Sequence, residues 1–209
     1  MCQKCLLFLS PPTLICPDCK NFQKHGKTHK YCQKKTHLEG LVSFYDYEGL
    51  SKKLINKTKQ ESLIDIPREL SEYGFLSIEE SKDRFFYFLD FLYDNQTVLT
   101  YVPITKSSFH KRGFNQSQEA ANHIGRFTRK KVETLLLKVK ENRPQKGLKK
   151  NQREANVRKV FSISDKKIPP KVIIIDDVWT SGATLRECSR VLREAGVKRV
   201  WGLTLTRVP

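Results

Sequence analysis

Two adjacent carboxylates, Asp176 and Asp177, stand between an apolar run and a turn rich in hydroxyl groups. Residues 172–175 carry no polar side chain and predict a strand buried on both faces of a parallel sheet. Residues 185–195 are amphipathic and predict a helix. The turn between them is made of small and hydroxylated residues, namely Thr180, Ser181, Gly182, Ala183 and Thr184. This order predicts anion-binding amides beside carboxylates that can hold hydroxyls or Mg²⁺. The alternative is an ordinary connection whose Asp and Thr cap the helix.

Five of the six cysteines lie within the first 32 residues. Two Cys-x2-Cys pairs stand ten residues apart and together supply four thiolates, those of Cys2, Cys5, Cys16 and Cys19. Four thiolates predict a closed, structural Zn²⁺ site. Free thiols and an iron–sulfur cluster are the alternatives. Any of four spare donors can replace one of these ligands: His25, His29, Cys32 and His37. Cys188 is predicted to be a small buried hydrophobe.

Lysine and arginine outnumber aspartate and glutamate by 39 to 22, which gives a formal net charge of +17. Much of the excess lies in the middle of the chain, since residues 104–171 hold 19 basic and 5 acidic side chains. An excess of this size predicts a polyanionic partner such as nucleic acid, a pyrophosphate-bearing metabolite or acidic lipid. A solvated lysine-rich surface is the alternative.

No apolar run approaches the ~20 residues of a membrane span, and the first residues lack the apolar core of a signal peptide. The sequence therefore favours a cytoplasmic protein, with peripheral attachment to the inner membrane left open. Clustered cysteines in that compartment favour metal binding over disulfides.

Patterns of strands and helices alternate from about residue 40 onward, which predicts an α/β fold with a mainly parallel sheet. The predicted strands are 41–47, 97–104, 132–139, 161–163, 172–175 and 199–206. The predicted helices begin at residue 49 and cover 81–93, 116–127 and 185–195. Loops are expected at 106–115 and 140–157, and the aromatic residues of 81–93 are expected in the core. Residues 1–38 form a small zinc ribbon in this interpretation, and residues 39–209 form the main domain.

The acid pair and the turn after it resemble the ribose-5-phosphate loop of the type I phosphoribosyltransferases, which bind 5-phosphoribosyl-1-pyrophosphate (PRPP). The resemblance implies that Asp176 and Asp177 hold the ribose hydroxyls, directly or through Mg²⁺, and that residues 180–184 enclose the 5-phosphate. Lys106 and Arg112 would neutralise the pyrophosphate. Arg153 and Asn156 would close over the ligand.

Further segments, at residues 103–116, 143–148 and 152–157, extend the likeness over essentially the whole chain. Together with the cysteine pairs they resemble the ComF family of natural competence, in which a zinc finger precedes a phosphoribosyltransferase-like domain. The family implies handling of incoming single-stranded DNA and contact with other DNA-uptake proteins. The candidate DNA contacts are basic, namely Lys111, Lys149, Lys150 and Arg153. The aromatic candidates for base stacking are Tyr31, Phe109, Phe114 and Trp179.

Three functions remain open. A competence protein that binds single-stranded DNA and PRPP is favoured. A phosphoribosyltransferase acting on an unidentified base or amine is the second, although Thr180 stands where purine-salvage enzymes often carry a carboxylate base. A PRPP-sensing regulator is the third. No acceptor base is evident, so the sequence leaves open whether the chain is an enzyme.

Overall fold

The structure, a computed structural model, describes residues 9, 11–33, 37–139 and 160–209. The strands are β1 (Gly40–Asp46), β2 (Thr97–Tyr101), β3 (Leu136–Lys138), β4 (Phe161–Ile163), β5 (Lys171–Trp179) and β6 (Arg199–Arg207). The helices are α1 (Gly49–Gln60), α2 (Asp65–Glu80), α3 (Lys82–Tyr93), α4 (Lys106–Arg112), α5 (Gln116–Thr128) and α6 (Ala183–Glu194).

Four strands form one sheet in the order β1-β6-β5-β2, and each neighbouring pair is parallel. β3 and β4 form a separate antiparallel pair. The apolar run of β5 alternates between two cores, as expected of a strand covered on both faces. Ile173 and Ile175 join a core with residues of α1, α2, α3 and α5, whereas Val172 and Ile174 join a core with α6 and the β3–β4 pair. The predicted α/β fold with a parallel sheet flanked by helices is confirmed.

Most predicted elements are present with boundaries that differ by a few residues. The predicted strand 132–139 is shorter, because only Leu136–Lys138 pairs with another strand while Val132 makes an isolated bridge to Leu99. Helix α2 lies where the sequence pattern predicted no element. Phe86 was expected in the core but is 59% exposed. The predicted loop 140–157 lies outside the described residues.

The expected basic loop 106–115 was wrong in part, because its first half is helix α4. The side chain of Thr105 accepts a hydrogen bond from the backbone N–H of Ser108 at 3.1 Å and so caps the N-terminus of the helix. Gly113 ends it with a φ of 75°, the left-handed conformation typical of a residue after a helix. Both signals were present in the sequence, but the run of polar residues between them favoured a loop.

The N-terminal segment 11–33 has little regular structure and packs on the main sheet. Leu14 joins the core beneath one face, and the Nη2 of Arg84 on α3 donates to the carbonyl of Pro12 at 2.5 Å. Gly26 accepts from the N–H of Leu41 at the start of β1. The division of the chain near residue 38 stays a prediction. Within the described parts of the chain, no helix is long and apolar enough to cross a membrane.

Candidate functional site

The acid pair lies where β5 loses its neighbour on one side. Pairing with β2 ends at Ile175, whereas pairing with β6 continues to Trp179. The strand therefore extends past the acid pair, beyond the predicted end at residue 175. Asp176 and Asp177 thus stand at the carboxyl edge of the parallel sheet, the edge at which open α/β sheets bind ligands.

Neighbouring helices supply a partner for each carboxylate. The hydroxyl of Ser117, in the first turn of α5, donates to Oδ1 of Asp176 at 3.1 Å. The backbone N–H of Asp177 donates to the same oxygen at 2.9 Å. Lys59, near the end of α1, places its Nζ 2.6 Å from Oδ2 of Asp177. Two helices and one strand therefore hold the acid pair in place.

The environment separates the acidities of the two carboxyl groups. Burial, together with the negative charge of Asp177, raises the pKa of Asp176 to about 7. Burial also opposes ionisation of Asp177, but the positive charge and hydrogen bond of Lys59 outweigh it and lower the pKa of Asp177. In the same way, Asp177 outweighs burial and raises the pKa of Lys59. Near neutral pH, Asp177 and Lys59 form an ion pair beside a partly protonated Asp176.

The turn after β5 leads directly into the N-terminus of α6. Gly182, the residue before α6, has a φ of 79°, and a side chain there would meet the ring of Trp179 at 2.3 Å. Glycine is therefore required both for the backbone conformation and for space. Ser181 Oγ accepts from the N–H of Ala183 at 3.3 Å. The other N–H groups of the first turn of α6 lack partners within the helix and are donors for a ligand.

The predicted cations differ in their distance from the acid pair. Arg112 is half-buried near the end of α4, and its charge helps to lower the pKa of Asp177. Lys106 is exposed at the start of α4 and lines a neighbouring cavity of about 440 Å³. Lys111 is exposed on the same helix. The other basic candidates and their neighbour lie outside the described residues: Lys149, Lys150, Arg153 and Asn156.

A cluster of four metal-binding side chains lies in the N-terminal segment. The donor atoms of Cys16, Cys19, His29 and Cys32 all lie within 4.8 Å of one another. Cys19 Sγ is 3.4 Å from Nδ1 of His29. Two ligands of one tetrahedral Zn²⁺ are separated by roughly 3.4–3.8 Å, given the usual Zn–N and Zn–S bond lengths. Three thiols and an imidazole in this arrangement fit a structural zinc site.

This cluster uses one predicted cysteine pair and two of the spare donors. Cys2 and Cys5 lie outside the described residues, so their part in metal binding stays a prediction. His25 belongs elsewhere, since its Nδ1 is 3.2 Å from the carbonyl of Arg84. His37 is exposed. The described residues therefore supply the four ligands of a tetrahedral site without the first cysteine pair.

A tight turn brings Cys16 and Cys19 together. The N–H of Lys20 donates to the carbonyl of Cys16 at 3.0 Å, and the N–H of Cys16 donates to the carbonyl of Asn21 at 2.9 Å. Lys20 has a φ of 64°, a conformation that glycine adopts more readily. Burial of the Cys19 thiol is outweighed by hydrogen bonds, foremost from the backbone of Asn21 and from His29, so its pKa falls to about 6. The turn therefore favours a thiolate, the form that binds metal.

The cysteine turn also contacts the turn after the acid pair. Lys20 Nζ donates to the carbonyl of Thr180 at 2.9 Å. Arg186, on the first turns of α6, donates from Nη1 to the carbonyl of Pro17 at 3.5 Å. The candidate zinc site and the candidate phosphate turn are thus direct neighbours.

Comparison with known proteins finds similarity to proteins named for competence and for DNA utilization. No protein-family model matches the chain. Competence protein F of Haemophilus influenzae is 29% identical over 160 residues, which cover 72% of this chain and 66% of that protein. This chain thus spans just under two thirds of that relative. Competence protein ComFC of Streptococcus pneumoniae is 26% identical over 194 residues, covering 92% and 74% of the two chains. DNA utilization protein YhgH of Escherichia coli is 23% identical, covering 99% and 90%.

The names and coverage of these relatives support the resemblance to the ComF family. The structure of the chain adds residues that the sequence alone did not single out, above all Lys59 and Ser117 beside the acid pair. No local motif marks either residue, because each reaches the site from a helix far away in the sequence. Lys20 follows a predicted metal ligand directly, yet its contact with Thr180 spans 160 residues.

The aromatic candidates for base stacking divide into two groups. Phe114 and Trp179 are buried and serve packing, whereas Tyr31 and Phe109 are exposed at 67% and 46%. Tyr31 stacks on His29 of the cysteine cluster, with ring centroids 5.2 Å apart. Only the exposed pair can offer a ring face to a base.

Proposed function

We propose that this chain acts in competence or DNA utilization, where it handles single-stranded DNA and binds PRPP through the acid pair and the turn after it. The observation that carries the PRPP assignment is one juxtaposition. A buried Asp176 and a half-buried Asp177 at the carboxyl edge of a parallel sheet lie just before a glycine-containing turn that leads into a helix. The names of the relatives support the DNA-related role.

The acid pair suits hydroxyl groups better than a directly bound metal ion. Lys59 already neutralises Asp177, and Asp176 keeps its proton up to about pH 7 because its pKa is raised to about 7. A bound Mg²⁺ would have to displace Lys59 from this position. Ribose hydroxyls need no such displacement, because the remaining carboxylate oxygens can accept hydrogen bonds from them. We therefore expect Mg²⁺ to arrive with the pyrophosphate and to reach the acid pair only indirectly.

Arg112 and the exposed Lys106 would face the pyrophosphate, because both belong to the helix that follows β2 at the same edge of the sheet. The planar guanidinium of Arg112 can donate two parallel hydrogen bonds to a phosphate group. The free N–H groups of the first turn of α6 would receive the 5-phosphate.

Isothermal titration of PRPP in the presence of Mg²⁺ tests the PRPP assignment. We expect Asp177→Asn to weaken PRPP binding at least tenfold, since a charged hydrogen-bond acceptor is lost. Asp165→Asn, a change of the same type on an exposed loop, serves as the matched control and should bind as the unchanged protein does. Unchanged PRPP affinity in Asp177→Asn would contradict the assignment of the PRPP site to the acid pair.

A companion variant guards against a folding defect. Asp177→Asn leaves the positive charge of Lys59 without its partner. A double variant, Asp177→Asn with Lys59→Met, therefore removes this unpaired charge as well. Loss of PRPP binding in both variants, with melting temperatures near that of the unchanged protein, supports the assignment. Pyrophosphate release in the presence of a panel of nucleobases or amines would instead favour a transferase.

A further inference from the structure

A positively charged cleft runs along α5, away from the acid pair. It is shallow and open to solvent, with a volume of about 780 Å³. Its charged lining residues comprise five cations and one carboxylate, namely Arg68, Arg126, Arg129, Lys130, Lys131 and Glu119. Such an excess of cations around one cleft predicts an anionic ligand.

The backbone of the basic turn at the end of α5 is held rigidly. The N–H of Lys130 donates to the carbonyl of Gly125 at 2.8 Å, and the carbonyl of Lys131 accepts from Leu99 of β2 at 2.9 Å. A side chain at Gly125 would lie 2.4 Å from the side chain of Val132, so the turn folds closely over the helix. The backbone that carries these cations is therefore positioned before any ligand arrives, which lowers the entropic cost of binding.

Three of the five cations already have partners. Arg68 is 3.0 Å from Glu119, Lys131 is paired with Glu133, and Lys130 Nζ donates to the carbonyl of Asp94 at 2.8 Å. Arg126 and Arg129 are exposed, and among the described residues no carboxylate pairs with either guanidinium. Arginine forks bind phosphate oxygens through two parallel hydrogen bonds. Arg129 also has a φ of 55°, so its backbone conformation would suit glycine better.

An aromatic ring follows Arg126, whose Nε donates to the carbonyl of Asn122 at 3.4 Å. Phe127 lies between Arg126 and Arg129 in sequence and is 47% exposed, although it does not line the cleft itself. The ring of Phe75 on α2 packs against it edge to face, with centroids 5.5 Å apart and an interplanar angle of 71°. Exposed aromatic rings beside backbone-binding cations are the usual arrangement for single strands, because unpaired bases stack on them.

We propose that this cleft and Phe127 bind the backbone and bases of single-stranded DNA, an inference that rests on the DNA-handling part of the proposed function. Ser117, at the opposite end of α5, contacts Asp176. The 13 residues of α5 separate the two ends by about 18 Å at the usual rise per residue. DNA and PRPP would therefore occupy separate sites on one helix.

Cations at the end of a helix also stabilise the helix dipole, and the test must separate that role from DNA binding. The test variant combines Arg126→Gln with Arg129→Gly, and glycine keeps the left-handed residue after the helix favourable. The matched control combines Lys166→Gln with Lys167→Gln on an exposed loop, which lowers the net charge equally. Circular dichroism and the melting temperature establish that both variants are folded.

Binding of a fluorescent oligothymidylate is measured by anisotropy across a series of salt concentrations. In the test variant we expect affinity to fall by roughly tenfold. The slope of log K against log salt should also become shallower by about 1.4, since each lost phosphate contact contributes about 0.7. The control should change neither quantity beyond the small effect of net charge. PRPP affinity should stay unchanged in both variants.

A third variant, Phe127→Leu, retains packing on Phe75 but removes the aromatic face. We expect it to weaken oligothymidylate binding a few-fold and to leave binding of inorganic polyphosphate unaltered, because only bases stack. Stronger binding of a duplex than of the single strand by the unchanged protein would overturn the assignment to single strands.

The remaining outcomes separate this inference from the proposed function. Equal losses of oligothymidylate affinity in the test and control variants would assign the effect to overall charge and overturn the assignment of the DNA site to this cleft. Full affinity in the test variant would also overturn that assignment, but it would leave the proposed DNA handling in place. Failure of the unchanged protein to bind oligothymidylate at any salt concentration would overturn both.

Discussion

The acid-pair turn and the cysteine cluster are two neighbouring sites built in opposite ways. The acid pair and its turn come from one continuous stretch, which a buried strand and a helix hold in place. The cysteine cluster draws on residues 16–32 in a segment whose regular structure is limited to isolated bridges such as Ile15 with Phe22. The fold supports the first site, whereas a metal bound at the second site would have to support its own segment. Substituting a binding residue should therefore abolish ligand binding at the acid pair, but should disrupt the local structure at the cysteine cluster.

The largest effect is expected from removing a cluster ligand. Cys16→Ser should lose zinc and destabilise residues 11–33, because these residues have few apolar contacts of their own to replace the metal. The expected loss in the free energy of unfolding is about 3 kcal/mol, which is modest beside the about 10–16 kcal/mol that zinc contributes in isolated zinc fingers. It would lower the melting temperature by roughly 6–12 °C in a chain of this size. Zinc content by mass spectrometry and thermal unfolding measure both effects.

Two controls accompany this prediction. Cys188→Ala changes a buried cysteine on α6 that lies outside the cluster and should retain zinc. Cys2→Ser combined with Cys5→Ser decides between the two ligand sets, since it should also retain zinc if the four described donors are sufficient. Retained zinc in Cys16→Ser would contradict the cluster described above.

An intermediate effect concerns the pH dependence of stability at the acid pair. Asp176 has a native pKa of about 7 against an ordinary value of 3.8, so the unfolded chain releases this proton first. The protonated Asp176 carboxyl group favours the folded state. This contribution to the free energy of unfolding is fully present below the ordinary pKa and is lost as pH rises to about 7. Asp176→Asn imitates the protonated form and should abolish this component. Between about pH 4 and 7, the free energy of unfolding of the unchanged protein should fall relative to that of the variant.

Urea unfolding at several pH values provides the measurement. Asp165→Asn should follow the unchanged protein at every pH, because its carboxylate lies on an exposed loop. Parallel curves for Asp176→Asn and the unchanged protein would show that the buried carboxyl group ionises normally. Any loss of zinc at low pH affects Asp176→Asn and Asp165→Asn alike, so it cancels when the two variants are compared.

The smallest effect is expected at the contact between the two sites. Lys20→Gly removes the hydrogen bond to Thr180 but suits the positive φ of this position, so the cysteine turn should keep its metal. We expect PRPP affinity to fall about two- to fivefold, the range for one partly exposed hydrogen bond. Lys24→Ala, on an exposed position of the same segment, is the matched control. Unchanged PRPP affinity with full zinc content would show that the two sites are neighbours without coupling.

The same contrast explains what the sequence could predict. The strand, the acid pair and the turn at 180–184 are local, so their order along the chain was enough to place them at the edge of a parallel sheet. The pairing of Cys16 with Cys19 was equally local. His29 and Cys32 were recognised only as spare donors, because nothing in their spacing shows that the segment folds back over Cys16. Lys59 was missed because its contact with Asp177 depends on where α1 packs across the sheet.

The position of β6 has a consequence for the order in which the molecule can be assembled. This strand comes last of all the described strands in the sequence, yet it lies between β1 and β5. A ribosome delivers the chain from its N-terminus, so β1 and the α1 helix with Lys59 emerge long before β6 exists to pair with them. β5 brings Asp177 later, and β6 then joins the two halves. We therefore expect the ion pair at the candidate site to form only after synthesis has passed residue 207, when β6 can complete the sheet.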